Sequence, residues 1–470
     1  MEVQEFITLM KEKCGLNPGD SLLLGFSGGP DSLCLLNLLV ESGYLVTAIH
    51  VDHSLRASSA EQATCAIELC QERGVTCLLH QVQVADFAHQ QKLSIEESAR
   101  ELRYKVLFSE AARIHAAAVL VGHNADDQVE TVLMHLIRGS GSSGLAGMRQ
   151  VEVPNQWSSS IPLVRPLLNC YREEIDQYLA AHHLTPLLDE SNLDTRYTRN
   201  RIRHELIPKL ETYNPQFKDR ILHMAEVVGK EDAYLEEENE RNWHQVIRES
   251  GKRFLVVDRL QVAELDLAMR RRMIQGCIHK LAPALRNIDF QVIDRAARFC
   301  STSTSTNHID LVGGIELFRI KKDSLVMAFS SDPLVELWPQ LPSSSRIDLP
   351  YDGEVEVGEH WKLVISHNAT RDVIRDPFKG QVDASRLVDP LILDTIQPGD
   401  RFVPYGFEGK SIKLGDFWTN EGLPARARKN WPLIRRGHTI IWVPGFRISE
   451  EVKVDADSSE ILTFEMLKTL

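Results

Sequence analysis

The first two hundred residues alternate between short apolar runs and longer segments with helical periodicity. Four apolar runs have the length of buried strands, at 22–26, 44–51, 75–82 and 117–122. The intervening segments repeat apolar positions every three or four residues, which predicts helices over 31–42, 58–73, 94–115 and 124–138. Strands that regularly alternate with helices predict an α/β fold with a doubly wound parallel sheet.

The pattern changes beyond residue 200. It is helical and acidic over 214–299, whereas prolines and serines at 330–345 mark a boundary. Apolar and polar positions then alternate between Gly/Pro turns to the end of the chain. For 470 residues we expect three domains. They are an α/β domain over 1–213, a mostly helical middle domain over 214–335 and a small α+β domain over 346–470.

Composition narrows the class of protein. The chain is 43% hydrophobic and 25% charged, which is typical of a globular protein. No apolar run approaches the roughly 18 residues that a membrane span needs, and the first residues predict an amphipathic helix rather than a signal peptide. The eight cysteines contain no C-x-x-C pair, which favours a reducing compartment and argues against zinc ribbons and iron–sulfur sites. We therefore expect a cytoplasmic protein with no membrane partner.

The turn after the first predicted strand concentrates groups that suit a phosphate. It spans Ser27–Ser32 with the letters SGGPDS and leads into an apolar helix. Glycines let the backbone approach a ligand closely, and the free N–H groups of a helix N-terminus attract anions. Ser27 and Ser32 add hydroxyl donors, whereas Asp31 suits a metal ion. The alternative is an ordinary strand-to-helix turn, in which Gly, Ser and Asp are common.

Polar side chains also follow the second predicted strand. His50, Asp52 and Arg56 come at its end, where ligands bind in doubly wound sheets. Asp52 suits a ribose or a metal ion, and Arg56 suits a phosphate. A helix cap with incidental histidines is the alternative.

A third polar cluster follows the fourth strand and begins with Gly122 and His123. In the next predicted helix Asp127 and Glu130 share a face, and paired carboxylates can hold magnesium or an ammonium group. Acids in a first helical turn are also ordinary complements of the helix dipole. The Gly/Ser stretch at 139–144 indicates a mobile loop beside this site.

The net charge of −13 argues against nucleic acid as a partner, but the distribution of charge does not. Residues 196–220 contain seven Lys/Arg against three acids, and residues 401–436 contain eight against three. Two basic islands in an acidic protein can bind a polyanion at defined places. Solvated surfaces are the alternative.

Taken together, these motifs resemble the N-type ATP pyrophosphatases (the PP-loop superfamily) and, within them, the tRNA(Ile)-lysidine synthetase family. The matching segments extend from one end of the chain to the other: 27–32, 50–56, 123–128, 189–192, 199–208, 398–402 and 442–445. Pro30 occupies a variable position of the loop, and it has no N–H to donate to a phosphate.

The resemblance implies a C–N ligase. Its members activate the 2-oxo group of the wobble cytidine in the tRNA(Ile) with a CAU anticodon, using ATP, and release pyrophosphate. The ε-amine of L-lysine then attacks, which yields lysidine and AMP. ATP as substrate, Mg²⁺, L-lysine and tRNA(Ile) are thus the implied ligands, and the implied state is a monomer or homodimer.

The resemblance also implies residue roles. Nucleotide binding is expected of Ser27, Gly28, Gly29, Pro30, Asp31, Ser32, His50, Asp52, Arg56, Gly122 and His123. Catalytic roles are expected of Asp31, Asp52, Asp127, Arg199 and Arg203, with Asp31 and Asp127 as metal ligands. Asp127 and Glu130 are expected to bind lysine. tRNA contacts are expected of Arg196, Arg201, Arg426, Arg428, Lys429, Arg435 and Arg436. Trp418 and Trp431 suit either base stacking or a hydrophobic core.

Two alternatives share parts of this pattern. A tRNA thiolase uses the same loop but needs a reactive cysteine pair or an iron–sulfur cluster. A non-catalytic tRNA-binding protein with a vestigial nucleotide fold would not need intact acids at Asp31, Asp52, Asp126 and Asp127.

Overall fold

The computed structural model describes residues 2–53, 59–187, 198–283, 285, 288–302, 307–321, 323–342, 345–368, 374–387 and 390–469. The chain divides into two compact units, Met1–Tyr234 and Leu235–Leu470. The division into three domains that the sequence suggests stays a prediction. Within the described ranges, no helix is both long enough and apolar enough to cross a bilayer.

The first unit consists of one sheet and the helices that accompany its strands. Its strands are β1 (Ser21–Gly25), β2 (Leu45–Asp52), β3 (Thr76–Gln81), β4 (Ala118–Val121), β5 (Val151–Glu152) and β6 (Leu163–Val164). Its helices are α1 (Val3–Cys14), α2 (Pro30–Glu41), α3 (Ser59–Gln71), α4 (Val84–Gln91), α5 (Ile95–Arg113), α6 (Ala125–Ile137), α7 (Ser142–Leu145), α8 (Arg172–Ala181), α9 (Thr198–Arg201) and α10 (Ile207–Glu211). A π-helical turn, Ile202–Leu206, joins the last two, and α11 (Phe217–Val246) contains the boundary between the units.

The sheet confirms the predicted doubly wound fold. The strand order is β3-β2-β1-β4-β6-β5, with parallel pairing throughout except at the β5 edge. Leu22 and Leu24 of β1 point into one hydrophobic core and Leu23 into the other, because successive strand residues face opposite sides of a sheet. The chain order reverses between β1 and β4, which is where such folds bind ligands.

The second unit combines sheets with helices. Its helices are α12 (Arg259–Glu264), α13 (Leu267–Leu281), α14 (Phe290–Ser301), α15 (Leu414–Asn420) and α16 (Ala425–Arg428). The strands of its first sheet are β7 (Ile247–Ser250), β8 (Phe254–Asp258), β9 (His308–Asp310), β10 (Ile315–Lys321) and β11 (Ser324–Phe329). The later strands are β12 (Ile347–Asp348), β13 (Gly353–Val357), β14 (Trp361–Asn368), β15 (Lys379–Asp383), β16 (Leu391–Asp394), β17 (Arg401–Phe402), β18 (Ile412–Lys413), β19 (Leu433–Arg436), β20 (Thr439–Val443), β21 (Arg447–Ile448) and β22 (Ile461–Lys468).

The structure departs from the sequence pattern in two places. The helical reading of 214–299 missed β7 and β8, which are short and joined by a tight turn. β7 pairs with β8, and β8 pairs with β11 beyond residue 300. The Gly/Ser stretch at 139–144 was expected as a mobile loop. It instead forms a turn and the start of α7, where the Ser142 hydroxyl donates to Asp232 Oδ1 at 2.8 Å.

Candidate active site

The turn between β1 and α2 has the backbone of an anion-binding loop. Gly28 has a φ of +80°, which residues with a side chain rarely adopt, and a Cβ there would lie 2.5 Å from Leu187 Cδ1. Gly29 caps α2 and Pro30 is its first residue, so the next two N–H groups lie in the first turn without helical partners. The sequence therefore places free N–H donors where the resemblance expects phosphate.

The two hydroxyls of this loop brace it. Ser32 Oγ donates to Gly29 O at 3.0 Å and lies 3.1 Å from Ser27 Oγ. Ser27 Oγ in turn accepts from Gly29 N at 3.3 Å. The hydroxyls thus hold the loop in a shape that exposes the helix N-terminus.

Asp31 stands in the first turn of α2. Its Oδ1 accepts a hydrogen bond from Asn124 Nδ2 at 2.9 Å, and its Oδ2 lies 3.5 Å from Arg172 Nη1. Burial raises the pKa of Asp31 above its ordinary value, although Arg172 and Asn124 oppose this shift. The carboxylate is therefore held at the mouth of the site by two residues from other parts of the chain.

The end of β2 contributes neutral imidazoles. His50 Nδ1 lies 3.0 Å from Phe26 O, and Arg103 of α5 lies 3.3 Å from His53 Nε2. Burial lowers the pKa of His50, and burial together with Arg103 lowers the pKa of His53 to about 4. Asp52, next to them, is 9% exposed. The lowered pKa values favour the uncharged form of both histidines, which suits contact with a nucleoside.

The end of β4 packs tightly against the loop Ser27–Ser32, called the nucleotide loop because the resemblance assigns it to ATP. A Cβ on Gly122 would lie 3.0 Å from both Asp31 C and Ser32 N. Burial, followed by the charge of Arg165, lowers the pKa of His123 well below its ordinary value. Among the described residues, Nδ1 of His123 and Nδ1 of His53 are buried without a hydrogen-bond partner.

We expect Gly122→Ala to raise the KM for ATP roughly tenfold or more, because the methyl group displaces the first turn of α2 and small misplacements are costly in such sites. Steady-state kinetics with varied ATP measures this. Gly141→Ala is the matched control, since a Cβ there meets nothing within 4 Å. Equal KM values for the two variants would show that the close approach is unimportant.

These strand ends meet in one cavity of about 430 Å³. It brings together seven of the predicted nucleotide-binding residues: Ser27, Asp31, Ser32, His50, Asp52, Gly122 and His123. Its apolar wall includes Ile49, Tyr104, Leu107 and Val121. Gly28, Gly29 and Pro30 form the loop beside it, and Arg56 lies outside the described residues.

Asp127 and Glu130 form an ion cluster with the two arginines that were expected to act in catalysis. Arg199 Nε donates to Glu130 Oε2 at 2.7 Å, and Arg203 Nε donates to Glu130 Oε1 at 2.5 Å. Both guanidinium groups also reach Asp127 Oδ1 at 3.2 Å. Although burial opposes it, the two carboxylates raise the pKa of Arg199 and Arg203. Glu130 is fully buried.

The remaining acids and amides of this helix are structural. Asp126 Oδ2 accepts from Arg172 N at 2.9 Å, and Lys218 lies 2.8 Å from Asp126 Oδ1. Gln128 bonds both N and O of Met148, at 2.7 and 3.0 Å. These contacts hold the first turn of α6 in place.

Asp31 is better placed than Asp127 to act as a ligand of Mg²⁺. No three His, Cys, Asp or Glu side chains converge on a possible ion site within the described ranges. A magnesium ion that also binds substrate phosphates needs only one or two carboxylates. Asp31 lines the cavity, whereas both oxygens of Asp127 are already bonded, Oδ2 by Asn124 N at 3.1 Å.

The second basic island is largely used inside its own unit. Arg435 is 2% exposed and is bonded to Asp394 and Asp400 at 2.5 Å each. Arg426 pairs with Glu316, and Arg428 donates to Leu423 O at 2.7 Å. These contacts run against the expected tRNA role, most clearly for Arg435, because a buried, paired guanidinium offers no surface to RNA.

Other predicted tRNA contacts are more accessible. Lys429 is exposed, the Arg201 side chain is 63% exposed, and Arg436 lies 3.8 Å from Glu451 with a half-buried side chain. Arg196 lies outside the described residues. Trp418 and Trp431 are buried at 0% and 2% exposure, so both belong to the hydrophobic core.

Sequence reasoning missed Arg103, Tyr104, Asn124 and Arg172. Asn124 stands within the third motif, so its helix-capping position was a usable signal. Arg103 and Tyr104 lie in the middle of α5, and Arg172 begins α8, with no local pattern that marks any of them. Only the packing of these helices brings Arg103 and Tyr104 to the cavity and Arg172 to Asp31.

Comparison with known proteins agrees with this geometry. Residues 2–210 match the PP-loop domain family, and residues 391–464 match the TilS substrate C-terminal domain family. The tRNA(Ile)-lysidine synthase of Dehalococcoides mccartyi is 31% identical over 467 residues, which covers 97% of each chain. That of Geobacillus kaustophilus is 32% identical over 448 residues, covering 92% of each.

A solved U34-tRNA thiolase from Methanococcus maripaludis covers 48% of this chain and 80% of its own at 18% identity. Its TM-score against this chain is 0.41. The two nearly full-length relatives show that this chain belongs to the tRNA(Ile)-lysidine synthase family.

Proposed function

We propose that this protein joins lysine to the wobble cytidine of CAU-anticodon tRNA(Ile) in an ATP-driven reaction. The observation that carries the proposal is the cavity that the ends of β1, β2 and β4 share, in a chain of this family. The cytidine 2-oxo group attacks the α-phosphate of ATP, which releases pyrophosphate and leaves an adenylated tRNA. The lysine ε-amine then attacks C2 of the cytidine ring, displaces AMP and forms lysidine.

The nucleotide loop binds the phosphates of ATP in this proposal. The free N–H groups of the first turn of α2 donate to phosphate oxygens, and the helix dipole favours the negative charge that develops there. Ser27 and Ser32 hold this loop and can turn their hydroxyls to the ligand. Asp31 would hold Mg²⁺, which would neutralise charge on the phosphates.

The cavity takes the nucleoside. Its apolar wall, with Ile49 and Val121, faces a base, while Asp52 accepts from ribose hydroxyls. Neutral His50 and His53 add hydrogen-bonding groups without charge.

Lysine binding was expected of both Asp127 and Glu130, and in this proposal it falls to Asp127 alone. Asp127 has a 15% exposed side chain, and each of its bonded oxygens keeps a further lone pair, so it is the carboxylate that can still accept a hydrogen bond from the lysine ammonium. Glu130 anchors Arg199 and Arg203, which stabilise negative charge as pyrophosphate leaves. The exposed Arg201 and Lys429 are the proposed phosphate contacts of the tRNA.

The decisive experiment incubates the protein with ATP, radiolabelled lysine and unmodified CAU-anticodon tRNA(Ile). We expect lysine to enter the tRNA and AMP and pyrophosphate to form in equal amounts. Sulfur incorporation instead would indicate a thiolase, and tRNA binding without ATP turnover would indicate a non-catalytic protein. Failure to incorporate lysine, with tRNA that an active relative modifies, would refute the proposal.

A further inference from the structure

We propose that Asn124 is a positioning residue that aims the Asp31 carboxylate and so controls how the site binds ATP with its metal ion. The inference rests on the proposed function only in placing Asp31 at the phosphates. Asn124 itself does not line the cavity, so its effect must pass through Asp31.

One amide group makes two bonds. Asn124 Oδ1 accepts from Asp127 N at 2.9 Å and caps α6, while Nδ2 donates to Asp31 Oδ1 at 2.9 Å. A backbone N–H only donates, so the oxygen of the amide must face Asp127 and the NH₂ must face Asp31. The bond that caps α6 therefore orients the NH₂ group of Asn124, rather than its oxygen, toward the Asp31 carboxylate.

The amide is a rigid support. Asn124 is 3% exposed, and the start of α6 is held by Ala125 N, which donates to Cys170 O at 2.9 Å. Gly122 also lies close to the backbone of Asp31, so the first turns of α2 and α6 pack closely together. The bond therefore joins two fixed backbones through side chains.

Arg172, the other partner of Asp31, is a weaker support. Its Nη1 is 3.5 Å from Asp31 Oδ2, which is an ion pair beyond ideal hydrogen-bond length. Its side chain is 43% exposed, and its Nε bonds Asp176 at 2.9 Å. With Oδ1 held by Asn124, Oδ2 is the oxygen left for the metal ion or for Arg172.

The test separates the two bonds of Asn124. Asn124→Ser keeps a capping oxygen, since Ser and Asn cap helices about equally well, but its shorter side chain lacks the NH₂ that donates to Asp31. Asn124→Ala removes both. We expect both variants to weaken Mg²⁺-dependent binding of α,β-methylene-ATP by roughly 10- to 100-fold, the usual effect of losing a hydrogen bond to a charged group. Only Asn124→Ala should also lower the melting temperature, by about 2–4 °C.

A double-mutant cycle tests the route. In an Asp31→Ala background, Asn124→Ser should cause no further loss of binding, measured by titration calorimetry. Asn124→Asp, which also keeps a cap, adds a charge beside Asp31 and should weaken binding more, with relief in an Asp31→Asn background. These variants keep the test open if one of them fails to fold.

Parent-like binding by Asn124→Ser would reduce the residue to a helix cap and overturn the inference. A loss that persists in the Asp31→Ala background would also overturn it. The titrations use neither tRNA nor lysine, so absence of lysine incorporation by the parent would refute the proposed function and leave this result standing.

Discussion

Asp31→Asn is expected to slow pyrophosphate release roughly a hundredfold, the usual cost of removing one preorganised electrostatic contact. The substitution removes the one predicted carboxylate that both lines the cavity and stands in the first turn of α2. A coupled pyrophosphate assay with saturating tRNA measures the rate. Binding of tRNA should persist, because the basic residues proposed to contact it lie elsewhere.

Asp86→Asn is the matched control for this loss of charge. Asp86 lies on the exposed face of α4, outside the cavity, and the variant should turn over at the parent rate. Turnover by Asp31→Asn within twofold of this control would remove Asp31 from the mechanism.

Glu130→Gln is expected to lower the free energy of unfolding by roughly 3 kcal/mol, because it breaks a buried charge cluster and leaves two guanidinium groups with one carboxylate. Urea titration followed by tryptophan fluorescence measures the change. Glu226→Gln is the control, since that exposed carboxylate only pairs with Lys230 one turn away and should leave stability unchanged.

The same variant decides between two roles of Glu130. An anchor for Arg199 and Arg203 loses stability when it is neutralised, and catalysis falls with the displaced arginines. A direct ligand of the lysine ammonium would instead raise the KM for lysine and leave unfolding unchanged. The second outcome would contradict the anchoring role.

Local patterns predicted the nucleotide-binding half of the first unit well. Apolar runs and helical periodicity located β1 to β4 and the helices α2, α3, α5 and α6 to within a few residues, because a sheet buried on both faces needs such runs, whereas α4 was not predicted. Ser94 and Glu97, three residues apart, form a capping box at the start of α5, which is a purely local arrangement. Very short strands such as β5 and β6 offered no comparable signal.

Charge patterns were poorer predictors of binding surfaces. The sequence alone does not show whether a charged residue faces solvent or a buried acid. The island at 401–436 suggested a polyanion surface, yet Arg435 is enclosed by Asp394 and Asp400. Those acids lie 41 and 35 residues away along the chain, respectively. Their encounter depends on the pairing of β16 with β19, which no local pattern encodes.

By itself, the sequence determined that this chain carries the Ser27–Ser32 turn at a strand end and two further polar clusters at neighbouring strand ends. Periodicity and turn chemistry are local, so they can be read along the chain. Only the tertiary structure decided which groups meet there: Asn124 on Asp31, Arg103 on His53, and two arginines on Glu130. These contacts join residues 50 or more positions apart, and only packing of the helices against the sheet brings them together.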